Sequence, residues 1–223
     1  REHGVTAFVF SSTCATYGEA RGETLDETEP QAPVSPYGAT KLAVERMLSD
    51  FKPAFGLRSV IFRYFNAAGG DPEREIGEDH RPETHLVPIV LDAASGRREA
   101  ITIHGTDYPT PDGTCIRDYV HVADLADAHV LGLQWLLDGG EPLALNLGSG
   151  TGHSVRAVIE AARRVTGSRI PAIEGPRRAG DPARLVSGSG LAERVLGWKP
   201  ARSGLEAIVA DAWGWHQTGG YPG

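Results

Sequence analysis

The chain has 223 residues, of which 40% are hydrophobic and 23% charged, with 28 glycines and 15 prolines. This composition is typical of a globular protein and excludes a collagen-like chain, a coiled coil and a low-complexity disordered chain. The formal net charge of −7 argues against nucleic acid as a partner, because nucleic-acid-binding surfaces are basic.

The sequence carries no signal for a membrane, a secretory leader or a metal. Its longest apolar run, around residues 5–10, is far below the ~18 residues that a membrane span needs. The chain begins Arg1-Glu2-His3, so we expect no signal peptide. Cys14 and Cys115 lie too far apart to indicate a disulfide scaffold or a zinc site, and we predict a reduced, cytoplasmic setting.

The first third of the chain predicts a strand, a helix and a second strand. Residues 5–10 (VTAFVF) are short, β-branched and aromatic, as in a buried strand. Ser35 and Pro36 mark the start of a helix over residues 37–51, in which apolar side chains recur every three to four positions. Residues 59–65 (SVIFRYF) predict the next strand. This order is a βαβ unit, which implies a parallel sheet.

The alternation continues along the rest of the chain and makes α/β the predicted class. Residues 66–82 predict a loop, and residues 107–118 predict a long irregular stretch. The other predicted elements are helices over residues 86–94, 122–137, 154–165 and 205–216, and strands over residues 100–104 and 144–147.

A glycine-rich turn, GSGTG at residues 148–152, lies between a predicted strand and a predicted helix, where a dinucleotide phosphate site is expected. The pattern GxGxxG needs glycine at position 153, which is His153 here. No suitable strand with an acidic residue follows, because residues 171–174 are too few and are flanked by prolines. We therefore predict a tight turn with Ser154 as helix cap and no cofactor.

Tyr37 and Lys41 lie four residues apart and share one face of the predicted helix. A nearby cation lowers the pKa of a phenol, which makes it a competent general base for a hydroxyl group. This pair alone is a weak signal. Residues 11–13 (SST) end the preceding strand, and ligands of parallel α/β sheets bind at such carboxyl ends. We therefore predict that Thr13, Tyr37 and Lys41 converge.

Seven stretches, in order and over nearly the whole chain, resemble the extended short-chain dehydrogenase/reductase superfamily and, within it, the UDP-glucose 4-epimerases. They are FVFSSTCATYG (8–18), SPYGATKLAVE (35–45), RYFNAAG (63–69), HLVP (85–88), DYPTPDGTCIRDYVHV (107–122), NLGSGTGHS (146–154) and RRAGD (177–181). The string at residues 107–122 is the most specific of these.

The resemblance implies an NAD(P)-binding, Rossmann-like α/β fold with a partial parallel sheet and a smaller C-terminal substrate lobe. Residues 1–66 and 115–147 would form the second half of the Rossmann lobe, and residues 67–114 and 148–223 the substrate lobe. The GxxGxxG motif of the superfamily would precede residue 1. We therefore expect the isolated chain to be poorly folded or inactive.

The resemblance also implies interconversion of UDP-glucose and UDP-galactose through a 4-keto sugar, with NAD as a bound cofactor. Tyr37 would be the base for the sugar 4-hydroxyl, and Thr13 would hydrogen-bond the 4-oxygen. Lys41 would bind the nicotinamide ribose and lower the pKa of Tyr37. Tyr64 and Phe65 would line the nicotinamide end.

A UDP-sugar is the implied substrate. Leu185 would lie beside the 2-substituent of the sugar, and its intermediate size favours glucose and galactose while leaving N-acetyl sugars open. A homodimer would form through residues 41–51. The residues that would hold the nucleotide are Asn66, Arg117 and Arg178 at the diphosphate, Asp181 at the ribose, and His85, Leu86, Thr102 and His104 in the rest of the pocket.

The sequence disfavours two other activities and leaves two further alternatives open. A nucleotide-sugar 4,6-dehydratase or a UDP-glucuronate decarboxylase is disfavoured, because those enzymes carry acidic residues where this chain has Cys14 and Ala15. A 4-epimerase acting on an N-acetylhexosamine, a pentose or glucuronate remains open. So does an inactive fragment that only binds nucleotide sugars.

Overall fold

The computed structural model describes residues 3–18, 22–188 and 190–219. Strands and helices alternate along these residues, which confirms the α/β class. The elements are β1 (Ala7–Thr13), α1 (Pro36–Phe55), β2 (Arg58–Tyr64), β3 (Asn66–Ala68), α2 (Leu86–Ala94), β4 (Ile101–His104), β5 (Ile116–His121), α3 (Val122–Leu137), β6 (Leu143–Leu147), β7 (Gly152–Ser154), α4 (Val155–Thr166), β8 (Ala172–Gly175), β9 (Arg184–Leu185), α5 (Gly190–Leu196) and α6 (Leu205–Thr218).

The main sheet has the strand order β1-β2-β6, and both pairings are parallel. Thr13 is paired with Tyr64, and Tyr64 with Leu147, so the three strands end at the same level. This is the βαβ arrangement that the sequence predicted. It creates one edge of the sheet at which carboxyl ends meet.

Two further sheets contain the other strands. β5 pairs in parallel with β3 and β9 and antiparallel with β7, and β4 pairs in parallel with β8. The predicted irregular stretch over residues 107–118 is wrong at its end, because β5 begins at Ile116. The segment that the sequence judged unsuited to a dinucleotide site forms the short strand β8, which pairs with β4. These strands have two to six residues, too few for periodicity to identify.

α1 begins and ends with the signals that its sequence carries. The Ser35 side chain accepts a hydrogen bond from the N–H of Gly38 at 3.1 Å, and Pro36 occupies the first turn. Gly56 ends the helix at φ 72°, a left-handed conformation that favours glycine. The helix is four residues longer than predicted, since Pro53 is tolerated inside its last turn.

Two hydrophobic clusters account for most of the core. One packs Phe62 of β2 and Leu145 of β6 against Leu125 of α3, with Trp198 on the same cluster. The other joins α2, α4 and α6 around Ile101 of β4 and its neighbours.

The division into a Rossmann lobe and a substrate lobe at the predicted boundaries stays a prediction. Within the described ranges, no helix combines the length and apolarity that crossing a bilayer requires.

Candidate active site

Tyr37 lies in the first turn of α1, which is docked against the chain just after β1. A Cβ on Gly38 would come within 2.4 Å of the carbonyl oxygen of Ala15, so only glycine permits this approach. The contact brings the start of the helix to the carboxyl end of β1. Tyr37 remains 55% exposed there, and is open to a ligand.

Lys41 lies one turn further along α1 and ties the helix to the same strand. Its Nζ donates a hydrogen bond to the carbonyl oxygen of Ser11 at 2.8 Å and lies 5.8 Å from the centroid of the Tyr37 ring. An ammonium group has three donors. Hydrogen bonding to the described residues uses one of them.

Thr13 completes the group at the end of β1. It is buried, and its Oγ1 accepts a hydrogen bond from the N–H of Ala15 at 3.2 Å. Burial raises the pKa of Tyr37 above its ordinary value, and hydrogen bonding with Thr13 offsets only part of this effect. The Lys41 ammonium is bonded to Ser11, and the expectation that it lowers the pKa of Tyr37 stays a prediction.

A buried ion pair holds α1 against the sheet. Arg63 of β2 donates three hydrogen bonds to the Glu45 carboxylate, at 2.6, 3.1 and 3.1 Å. The two side chains are only 9% and 4% exposed. Ser12 of β1 also donates to the Glu45 carboxylate. Glu45 therefore connects the helix to two strands of the main sheet.

The same network reaches the third strand. Arg63 donates to the hydroxyl of Tyr17 at 3.0 Å, and that hydroxyl donates to Oδ1 of Asn146 on β6 at 2.7 Å. Sequence analysis missed this network. One feature of the sequence pointed to it: Tyr37, Lys41 and Glu45 are each four residues apart. This spacing places all three on the same face of α1.

The glycine-rich turn after β6 is filled by a carboxylate of the chain itself. Asp118 of β5 accepts hydrogen bonds from the N–H groups of Ser149 at 2.8 Å and of Gly150 at 3.0 Å. A Cβ on Gly148 would lie 2.6 Å from Oδ2 of Asp118, so glycine admits the carboxylate. The donors that could hold a dinucleotide phosphate are already used, which agrees with the prediction of a structural turn.

Arg117 and Asp181, both predicted to bind the nucleotide sugar, are in contact. The Arg117 guanidinium donates to the Asp181 carboxylate and, at 2.8 Å, to the carbonyl oxygen of Pro182. Leu185 is paired with Arg117 in the register of β5 and β9, and it packs against the small core cluster that contains Cys14. The register therefore collects three predicted ligand residues at the start of β5.

Three predicted residues follow one another where β2 ends. Tyr64 is half-buried, Phe65 is buried in the small core cluster, and Asn66 is half-buried at the start of β3. They lie at the same edge of the main sheet as Thr13, since Thr13 and Tyr64 are register partners. The residues predicted to line the nicotinamide end therefore lie at the same edge as the predicted base, Tyr37.

The remaining predicted residues lie further from this edge in the topology. Thr102 and His104 are on β4, whose partner is β8. Thr102 is exposed and His104 is half-buried. Arg178 is exposed in the segment after β8. β4 is thus paired with β8, the strand that precedes this segment. Asp181, near the end of the segment, contacts Arg117.

His85 and Leu86 begin α2. Nδ1 of His85 lies 2.6 Å from the Glu78 carboxylate and 3.0 Å from that of Glu83, which also accepts from the backbone N–H of His85 at 2.7 Å. His80 lies beside them, and the donor atoms of His80, Glu83 and His85 all fall within 4.8 Å of one another. Leu86 packs against the cluster around α2, α4 and α6.

Tyr108 was given no role by sequence analysis, although it belongs to the specific string at residues 107–122. It is 5% exposed, and the guanidinium carbon of Arg177 lies 4.2 Å from the centroid of its ring. Arg177 is held there by a hydrogen bond from Nε to Oδ1 of Asp107 at 2.6 Å. No local pattern distinguishes such a residue, because Arg177 comes from a distant segment of the chain.

Comparison with known proteins agrees with this geometry. The NAD dependent epimerase/dehydratase family model matches residues 1–148, more than half of the chain. The chain belongs to this family. The α/β class and the parallel sheet are those expected of its Rossmann-like members.

Its relatives include proteins of one named activity. UDP-glucose 4-epimerase of Lacticaseibacillus casei is 51% identical over 217 residues, which cover 97% of this chain and 66% of that protein. A crystal structure of a UDP-glucose 4-epimerase matches with a TM-score of 0.97 at 53% identity, covering 100% of this chain and 68% of that one. The Bifidobacterium longum UDP-glucose 4-epimerase, solved with NAD+ and UDP, matches with a TM-score of 0.89 at 35% identity, over 97% of this chain and 65% of that one.

Proposed function

We propose that the chain carries the catalytic residues and the nucleotide-sugar site of an NAD-dependent UDP-glucose 4-epimerase. The observation that carries the proposal is the meeting of Tyr37, Lys41 and Thr13 at the carboxyl end of β1. The named relatives support the choice of reaction among the many that this fold serves. Because the chain spans 66% of the length of the L. casei relative, the activity is proposed for the protein of which these residues form part.

Tyr37 is the proton carrier of the proposed reaction. Its phenolate takes the proton of the sugar 4-hydroxyl and later returns it to the same oxygen. A bound two-electron acceptor would take up and return the hydride of C4, so that the 4-keto sugar can turn its other face in between. Thr13 hydrogen-bonds to that oxygen. Since burial raises the pKa of Tyr37, the phenolate needs positive charge nearby to form near neutral pH.

The donor set at this edge fits NAD. Lys41 spends one donor on Ser11 and has two left for the hydroxyls of a ribose. Tyr37, Tyr64 and Phe65 line the nicotinamide end. NAD, when bound, supplies a reversible two-electron acceptor for the sugar and a positive charge beside the phenol.

UDP is held at the start of β5 and on the segments around it. Arg117 is positioned by Asp181, so its planar guanidinium is pre-oriented for a diphosphate. Asp181 serves the ribose. The other proposed nucleotide contacts are Asn66, His85, Leu86, Thr102, His104 and Arg178.

Leu185 sets the sugar preference. It is the register partner of Arg117 and packs against the small core cluster that contains Cys14. Cys14 directly follows Thr13 in the chain. Both contacts support a place for this side chain between the base and the diphosphate site. Its intermediate size favours glucose and galactose over sugars with a bulky 2-substituent.

A homodimer and a cytoplasmic location complete the proposal. On α1, Met47, Phe51 and Phe55 are 50%, 39% and 54% exposed, and the two phenylalanine rings pack edge to face at 5.3 Å. Exposed apolar side chains on one helix support a subunit interface there. Both cysteines are free and buried, as suits a reducing compartment.

The experiment is a gain-of-function assay. The 223-residue chain is produced alone and fused to the N-terminal segment of the L. casei relative, which the resemblance places before residue 1. Each is incubated with UDP-galactose, and UDP-glucose and NAD released on denaturation are measured. We expect both bound NAD and turnover in the fusion. We expect no turnover in the fusion that carries Tyr37→Phe.

The other outcomes separate the alternatives. Turnover of UDP-N-acetylgalactosamine, a UDP-pentose or UDP-glucuronate in place of UDP-galactose would assign another 4-epimerase. UDP binding without turnover in the fusion would favour a nucleotide-sugar-binding module. NAD bound to the chain alone would contradict the structural role of the turn at Gly148.

A further inference from the structure

We infer that the Tyr108 hydroxyl is a binding group for an oxygen of the nucleoside diphosphate, an inference that rests on the proposed function. Tyr108 is 5% exposed, and its hydroxyl oxygen is buried without a hydrogen-bond partner among the residues that the structure describes. A buried polar group normally has a partner, because leaving one unpaired costs folding free energy. Phenylalanine would fill the same space without this cost.

The surroundings of the hydroxyl define what it binds. The guanidinium of Arg177 lies over the ring of Tyr108, and the charges of Asp181 and Arg117, two residues of the proposed nucleotide site, act on the pKa of its hydroxyl. Burial has the largest effect and raises this pKa, which keeps the phenol protonated. A protonated hydroxyl beside two guanidinium groups is a donor for an anionic oxygen.

The ring of Tyr108 is held in place, so its hydroxyl has a defined position. Arg177 covers one face of the ring, with its guanidinium carbon 4.2 Å from the centroid. Gly105 approaches the ring edge so closely that a Cβ there would lie 2.6 Å from Tyr108 Cε2. Gly105 has φ 83°, which favours glycine and leaves the room that the ring occupies.

If the unpaired hydroxyl binds a ligand, removing it should raise the stability of the unliganded protein and weaken ligand binding. In the fusion protein without nucleotide, Tyr108→Phe removes an unpaired buried hydroxyl, and we expect the melting temperature to rise by about 2–4 °C. In the same variant UDP loses a hydrogen bond to a charged oxygen, and we expect its Kd to increase about 10-fold. A role in packing alone would change neither quantity in this way.

The matched control is Tyr17→Phe. The Tyr17 hydroxyl has partners, since it accepts from Arg63 at 3.0 Å and donates to Asn146 at 2.7 Å. Its removal should lower the melting temperature, the reverse of Tyr108→Phe. The two variants delete the same atom from equally buried rings, so the comparison isolates the effect of the missing partner.

Melting is followed by circular dichroism and UDP binding by titration calorimetry. The inference is overturned if wild type binds UDP and Tyr108→Phe binds it equally well, or if Tyr108→Phe melts below wild type. If wild type binds no UDP, the proposed nucleotide site is overturned together with this inference. The first two results leave the proposed function intact, so the failures are distinguishable.

Discussion

Lys41 donates from Nζ to the carbonyl oxygen of Ser11 at 2.8 Å, so its ammonium is anchored to the end of β1. The anchor leaves the phenol of Tyr37 without a direct bond to the cation, at 5.8 Å from ring centroid to Nζ. The lysine therefore ties the helix to the strand. The protonation of Tyr37 depends on burial and on Thr13, and it responds to whatever binds beside it.

Tyr37 of the chain without ligand should titrate above its ordinary pKa. Burial favours the neutral phenol, so half of the Tyr37 side chains should ionise only at a higher pH than an ordinary tyrosine requires. The measurement is the ultraviolet difference spectrum of tyrosinate during a pH titration, taken as wild type minus Tyr37→Phe. Thr13→Val should shift the transition to still higher pH, because the lowering hydrogen bond is lost. A Tyr37 transition near neutral pH in the unliganded chain would contradict this account.

Tyr37→Phe should remove the activity of the active fusion without affecting its fold. Loss of the proton carrier is expected to cut kcat by about 100- to 10,000-fold. The melting temperature should stay that of wild type, since Tyr37 is 55% exposed. Arg46→Ala, an exposed change on the same helix, is the control and should retain full activity. If Tyr37→Phe keeps more than a tenth of the wild-type kcat, another group carries the proton.

Glu45→Ala should be strongly destabilising, because it leaves the Arg63 guanidinium buried without its anion. Breaking such a pair costs about 3–5 kcal/mol of unfolding free energy. Replacing both residues, as in Glu45→Met with Arg63→Met, removes the stranded charge and should recover most of that loss. Urea unfolding of the two single variants and the double variant gives the coupling. Additive losses would mean that the pair acts as two independent residues.

Gly148→Ala should destabilise the chain by about 1–3 kcal/mol, since overpacking a filled site forces its neighbours apart. The added Cβ would meet the Ser187 Cβ at 2.4 Å and the Asp118 carboxylate at 2.6 Å. Gly204→Ala is the control, because that glycine has no atom within 4 Å of an added Cβ and a φ of −68°. Equal unfolding free energies for the two variants would show that the turn has room to spare.

The sequence determined the features that depend on neighbours along the chain. Apolar periodicity identified α1 and the strands on either side of it, and Ser35 and Pro36 marked the start of that helix. The spacing of Tyr37 and Lys41 is likewise local, because one helical turn suffices to place both on one face. Order and spacing of motifs over most of the chain were enough to reach the family.

Only the tertiary structure decided which of these groups meet. Asp118 fills the glycine turn and Arg117 pairs with Asp181 because β5 lies between β7 and β9, an arrangement that no local pattern encodes. The pairing of distant segments also gives Tyr17 its partners and leaves Tyr108 without one. Strand order and register set these contacts, and both follow from the packing of the whole chain rather than from the residues beside each group.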